Sequence, residues 1–212
     1  SPSLYHCQSN LNKPTTPASL MSKPLILASG SAYRREQLQR LRIQFDVVPA
    51  NIDESPRTGE TGAALARRLS QQKALTVASS HPTAIVIGSD QVAECRSRLL
   101  GKPGTDDRAL EQLTFCAGHE IVFHTSVAVA QGQHVAEILV PTRVVLKDLS
   151  MERLRAYIAA DQPLDCAGSM RSESLGIALA ERISSDDPTA LVGLPLIATV
   201  SLLERFGLMV PA

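Results

Sequence analysis

The chain contains no tryptophan, three tyrosines and four phenylalanines among 212 residues, which leaves few platforms on which nucleic-acid bases could stack. No charge of either sign dominates. Twenty-one Lys and Arg balance twenty-one Asp and Glu, so the formal net charge is zero, which excludes a whole-surface binder of nucleic acid or of anionic membranes. Long apolar runs are missing too: the longest, Leu191 to Leu203, is broken by Gly193, Pro195, Thr199 and Ser201 and is shorter than the roughly 20 residues a membrane span needs. The four cysteines, Cys7, Cys95, Cys116 and Cys166, form no C-x-x-C pair, and the five histidines supply no zinc spacing beside them. These absences describe a reduced, soluble, cytoplasmic chain, whose 44% hydrophobic content can fill a proper core.

Residues 1–20 carry no acid, one lysine and three prolines, a composition too polar to order itself. We expect residues 1–21 to be a disordered or non-native extension, with Met21 a natural start, and residues 22–212 to be one domain. Leu25–Ala28 reads as a short strand, Tyr33–Arg42 as a helix and Phe45–Val48 as a second strand. A helix from about Thr61 to Ser79 follows, then a buried strand over Thr83–Ile87 that ends in Gly88-Ser89-Asp90. Thr105 and Ser150 are placed to cap helices, and a last helix is expected to start at Pro195. Ile121–Ala130 and His134–Leu146 alternate as an antiparallel pair turning at Gln131-Gly132. Alternating strands and helices followed by locally paired strands give an α/β protein with a mixed sheet.

Several polar groups stand out against this frame. In the turn Ser29 to Arg35, free backbone N–H groups, two hydroxyls and two guanidinium groups converge at a helix start, which suits a phosphate chain; a capped helix with two solvated arginines explains the pattern as well. Asp53 and Glu54 are adjacent loop acids, a solvated turn or a metal site. Lys73 lies four residues beyond Leu69 and eight beyond Leu65, so it points inward along an apolar line. It snorkels to an edge or meets an anion in a cleft, and we favour the cleft. Asp90, at the expected carboxyl end of a strand, is placed to hold a metal ion, to polarise water, or simply to end the strand in a turn. Gly101-Lys102-Pro103-Gly104 is a basic turn, and Cys166 to Ser174 a small-residue segment with one cation, Arg171, and one acid, Glu173. His119 and His124 point to opposite faces and read as structural or exposed, and the cysteines as core or incidental.

Together these pieces resemble the Maf family of nucleoside triphosphate pyrophosphatases over about residues 23 to 206. The likeness is carried by Leu27-Ala28-Ser29-x-Ser31-x-x-Arg34-Arg35, Asp53-Glu54, Lys73, Gly88-Ser89-Asp90-Gln91, Gly101-Lys102-Pro103, Ala167-Gly168 with Glu173, and Leu191 to Pro195. Tyr33, Gln91 and Glu173 match the branch acting on 7-methyl-GTP; the sister branch for dTTP and UTP has Arg, Thr and Gln there. Two departures are Ala32, where proline is common, and Arg171, where lysine is common.

The resemblance implies an elongated mixed sheet flanked by helices, in two lobes around a central cleft, and hydrolysis between the α and β phosphates to a nucleoside monophosphate and pyrophosphate. It also implies a divalent cation, Mg²⁺ or Mn²⁺, and is compatible with a homodimer, while the zero net charge, seven aromatics and short apolar runs leave no nucleic-acid or membrane partner expected. Arg34, Lys73 and Lys102 would offset the charge of the triphosphate beside Ser29, Ser31 and Arg35. Asp90 would take the proton of the attacking water, and Glu54 would ligate the metal with Asp90 sharing it. Methylation at N7 makes guanine cationic, so Tyr33 could stack on it, Glu173 accept from its N–H edge, Gln91 add an amide contact and Arg171 line the loop. The competing readings are a dTTP/UTP pyrophosphatase and a non-catalytic nucleotide-binding regulator of cell division. A regulator has no need of Glu54, Lys73, Asp90 and Lys102 together.

Overall fold

Hydrophobic alternation is most sustained in the middle of the chain, and there it builds the frame that carries everything else. The computed structural model describes residues 23–211, so the extension expected over residues 1–21 lies outside the described residues. Strands β3 (Ile85–Cys95), β5 (Glu120–Gln131) and β6 (His134–Leu146) are long antiparallel neighbours. The β5–β6 turn needs only Gly132 and Gln133, since Gln131 pairs with His134. Short β1 (Leu25–Leu27) and β2 (Asp46–Val47) add in parallel, while β4 (Arg98–Leu100) and β7 (Ala180–Ser185) pair antiparallel with β3 and β6. The sheet order is β2-β1-β3-β5-β6-β7, with β4 beside the far half of β3. This is the mixed α/β sheet that the alternation predicts.

Helices α1 (Ala32–Gln39), α2 (Gly62–Ser80), α3 (Asp106–Cys116) and α4 (Met151–Asp161) start where hydroxyls can cap them. Ser31, Thr61, Thr105 and Ser150 each accept a backbone N–H from three residues on, at Arg34, Ala64, Arg108 and Arg153. In α5 (Leu196–Arg205), Pro195 stands at the cap rather than inside the first turn, and the first N–H groups go to Thr189 Oγ1 and Asp187 Oδ2.

One expectation needs correcting because it concerns the site. The strand from Ile85 does not end at Gly88-Ser89-Asp90 but runs on to Cys95, so Asp90 lies in mid-strand. The parallel partner β1 stops opposite Ile87, whereas the ladder with β5 continues from Val86 to Cys95. Three polar residues interrupt the apolar run without breaking the strand, because their side chains go to the site. Strands β4 and β7 escaped the sequence reading: β4 has three residues, and β7 is polar and largely exposed, so neither has a readable period.

Apolar burial falls into two main clusters strung along the same long strands. One gathers Leu100, Leu113, Phe123 and Leu154 around α3 and α4; the other gathers Leu27, Leu38, Ile87 and Leu202 around β1, α1 and α5. Each such side chain contributes about 1.5–3 kcal/mol by leaving water. Between the clusters lies the cleft, with α2 against one face of the sheet.

Candidate active site

Helix α2 buries Leu65, Leu69 and Lys73 on one line, as its spacing requires. It approaches the sheet closely at Gly88, where any Cβ would collide with the Ser70 carbonyl oxygen and come within 2.6 Å of Ala74 N, both backbone atoms of the helix. Side chains alternate along β3, so Gly88 and Asp90 face α2 while Ser89 and Gln91 face the opposite side. Lys73 Nζ therefore meets Asp90 Oδ1 at 2.7 Å, and Glu54 Oε1 from the preceding loop approaches it at 2.9 Å. The Lys73 and Asp90 side chains are buried, whereas Glu54 is 57% exposed. Burial pushes the Asp90 carboxyl above the usual carboxylate range, and Lys73 and Arg34 pull it partly back. Burial likewise lowers Arg34, opposed by the charges of Asp90 and Glu54.

Arg34 is aimed by the opposite face of β3. Its Nε donates to the Gly193 carbonyl at 2.9 Å, and Ser89 Oγ donates to the same oxygen at 2.9 Å. Gly193 has φ +127°, a backbone conformation that favours glycine. Ser29 Oγ accepts from Ser31 N at 3.2 Å and from Arg34 Nη1 at 3.5 Å. Gln91 Nε2 donates to Thr125 Oγ1 and to the Ala190 and Leu191 carbonyls, which commits its amide nitrogen to the 189–194 loop and leaves a carbonyl oxygen for a ligand.

Ser29, Ser31, Tyr33, Arg34, Glu54, Lys73, Asp90, Gln91, Lys102 and Glu173 all line one cleft of about 710 Å³. Two expected members do not. Arg35 is exposed on α1, one residue and so about 100° around the helix from Arg34. Arg171 stands behind the wall, donating to the Asp161 carbonyl at 2.9 Å and to Asp165 Oδ1 at 3.2 Å. Asp53 turns away and caps its own loop through Ser55 N at 2.9 Å. His119 is exposed, and His124 pairs with Glu94 at 3.2 Å outside the cleft lining. Cys95 and Cys116 are buried, but Cys166 lines the cleft. Asp165 and the carbonyls of the 189–194 loop are site members that no pattern announced; only the Leu191 to Pro195 motif pointed to that loop.

A buried Lys73 and a partly buried Arg34 beside carboxylates, with hydroxyls and a helix start, make this an α/β protein whose cleft suits a polyanion. The family model described as Maf-like protein matches residues 24–206. The chain is 50% identical over 184 residues to a 7-methyl-GTP pyrophosphatase of Bordetella pertussis, spanning 87% of this chain and 92% of that one. It is 50% identical over 188 residues to a 7-methyl-GTP pyrophosphatase of a Polaromonas species, spanning 88% and 86%. With the 7-methyl-GTP pyrophosphatase of Xanthomonas axonopodis pv. citri it shares 49% over 187 residues, 88% and 98% of the two chains. The chain belongs to the Maf family. A solved HAM1 protein from Coxiella burnetii overlaps 60% of this chain and 74% of its own at TM-score 0.42 and 17% identity, too slight a likeness to bear on the site.

Proposed function

We propose that this protein hydrolyses 7-methyl-GTP to 7-methyl-GMP and pyrophosphate. The observation that carries the reaction is the buried Lys73–Asp90 pair, with Glu54 on the same ammonium and Arg34 alongside, in one cleft large enough for a nucleotide. The base assignment draws on relatives named 7-methyl-GTP pyrophosphatase and on Tyr33, Gln91 and Glu173 lining the same cleft.

Arg34, Lys73 and Lys102 bind the phosphates, with Ser29 and Ser31 offering hydroxyls at the start of α1. A substrate phosphate drawn to Lys73 competes with Asp90 for the ammonium, which frees the carboxylate to work as a base. Asp90 accepts a proton from water as the water oxygen bonds to the α-phosphorus. The bond from that phosphorus to the bridging oxygen breaks, and the oxygen leaves with pyrophosphate. Burial helps here, because a carboxyl raised above its ordinary range is a better proton acceptor near neutral pH.

A divalent cation fits the same place. Glu54 and Asp90 already hold one positive charge between them, and hard oxygen donors suit Mg²⁺ or Mn²⁺. Among the described residues no group of three His, Cys, Asp or Glu side chains could enclose an ion, so Glu54 and Asp90 would hold it together with substrate phosphates and water. When bound, it supplies charge stabilisation for the phosphates.

The test is turnover of 7-methyl-GTP, GTP, UTP and dTTP by purified protein with Mg²⁺ or Mn²⁺, with monophosphate and pyrophosphate measured separately. 7-methyl-GTP should be hydrolysed fastest, with equal yields of both products. Equal rates on UTP would refute the base assignment, and binding without turnover would refute catalysis.

A further inference from the structure

Asp165 follows α4 in the turn that brings the chain back to the cleft. Its Oδ2 accepts the Tyr33 phenol at 3.3 Å, and its Oδ1 lies 3.2 Å from an Arg171 guanidinium nitrogen. That guanidinium stands 5.8 Å from the centroid of the Tyr33 ring and is tied to the Asp161 carbonyl. Tyr33 comes from α1 and Asp165 from the segment after α4, so the phenol bond joins two parts of the lining 132 residues apart. Both residues line the cleft with Glu173.

Burial works upward on the Asp165 carboxyl, but hydrogen bonds from Cys166, Arg171 and Tyr33 outweigh it and hold the group below the usual range. The Tyr33 phenol is pushed up to about 12, first by burial and then by the negative charge nearby, so it stays a donor at neutral pH. A fixed donor on a fixed carboxylate leaves the ring one orientation. Asp165 and Glu173 add two carboxylates to the lining that carries Tyr33, besides Glu54 and Asp90, which are engaged by Lys73. A cationic base on the Tyr33 ring meets the Asp165 carboxylate that holds its phenol.

We propose that Asp165 determines specificity for a nucleotide with a positively charged base, by placing a carboxylate beside the Tyr33 ring and by fixing the plane of that ring. The proposal rests on the 7-methyl-GTP reading above. Asp165→Asn keeps an acceptor for the phenol and removes the charge, while Arg171 retains the Asp161 carboxylate 4.0 Å away. KM for 7-methyl-GTP should rise about five-fold while kcat, and KM for GTP with its neutral base, stay within about two-fold, the scale of an exposed charge pair. The KM difference should shrink with added salt. Asp165 is 59% exposed, so the variant should melt with the wild type, which a thermal scan checks. Tyr33→Phe tests the clamp separately: KM should rise on both nucleotides, and an unchanged KM on both overturns the clamp. Wild-type enzyme that treats GTP and 7-methyl-GTP alike overturns the underlying reading and the proposal with it. A wild-type preference that survives intact in Asp165→Asn overturns this proposal alone, as does an equal KM rise on both nucleotides.

Discussion

Gly88 lies where β3 passes beneath α2, and Gly88→Ala asks how finely the height of that helix sets the site. An added methyl would sit 2.6 Å from Ala74 N and closer still to the Ser70 carbonyl oxygen, and neither backbone atom can swing aside. Carbon contacts settle near 3.5–4.0 Å, so α2 must lift by about 1 Å. Lys73 adjoins Ala74, and the lift stretches its 2.7 Å bond to Asp90 to about 3.7 Å, beyond hydrogen-bond range. Overpacking of this kind costs about 1–3 kcal/mol, which lowers Tm by about 2–12 °C in a domain of this size. Misplacing a reacting group by 1 Å costs about a hundred-fold in rate. Thermal denaturation followed by circular dichroism, with initial rates of pyrophosphate release, measures both. Gly101→Ala is the control for Tm, since its methyl would meet nothing within 4 Å. A Gly88→Ala enzyme with wild-type Tm would refute the close approach. One with lowered Tm but full kcat would refute the link from helix height to the Lys73–Asp90 pair.

Two further substitutions probe the same pair. Asp90→Asn should fold normally and lose about 10²–10⁴-fold in kcat; a retained rate would move the base elsewhere. Because burial holds Asp90 above the ordinary carboxylate range, kcat of the wild type should fall as pH drops through a midpoint above about 4, and a profile flat to pH 4 would contradict that. Lys73→Met leaves the buried Asp90 charge with Arg34 as its remaining neighbouring cation, at a cost of about 3 kcal/mol in stability near pH 7. The carboxyl is then raised still further in the folded state, so the deficit is full above the folded value and shrinks as pH falls through it and Asp90 takes a proton. Urea unfolding at neutral and acid pH measures this, and a deficit independent of pH would refute it.

What could be read from the sequence divides along physical lines. Helix starts were legible because a hydroxyl three residues before a free N–H is a local signal, as at Thr105 and Ser150. The β5–β6 hairpin was legible because alternation and a turn glycine agree. Lys73 was the clearest site residue, since a cation on an apolar line at helical spacing demands a partner. Asp90 was placed at the wrong point of its strand, because polar residues serving a site look like the end of an apolar run. The separation of Arg34 from Arg35 depends on helix phase, which begins at a cap that the pattern locates only to within a residue or two. Asp165 had no signal, since the phenol it holds lies 132 residues away in the chain and only tertiary structure joins them.

Strands β3, β5 and β6 run unbroken from one apolar cluster to the other, and β3 lines the cleft on the way. The two halves of the molecule therefore share a spine, and no hinge can swing them apart without tearing paired backbone. Asp90 and Gln91 sit on that spine and stand ready before any nucleotide arrives, so capture costs little ordering there. The loops at 51–61 and 162–174 add Glu54, Asp165 and Glu173 to the groove from outside that spine, and Glu54 and Asp165 are already engaged there by Lys73 and Tyr33.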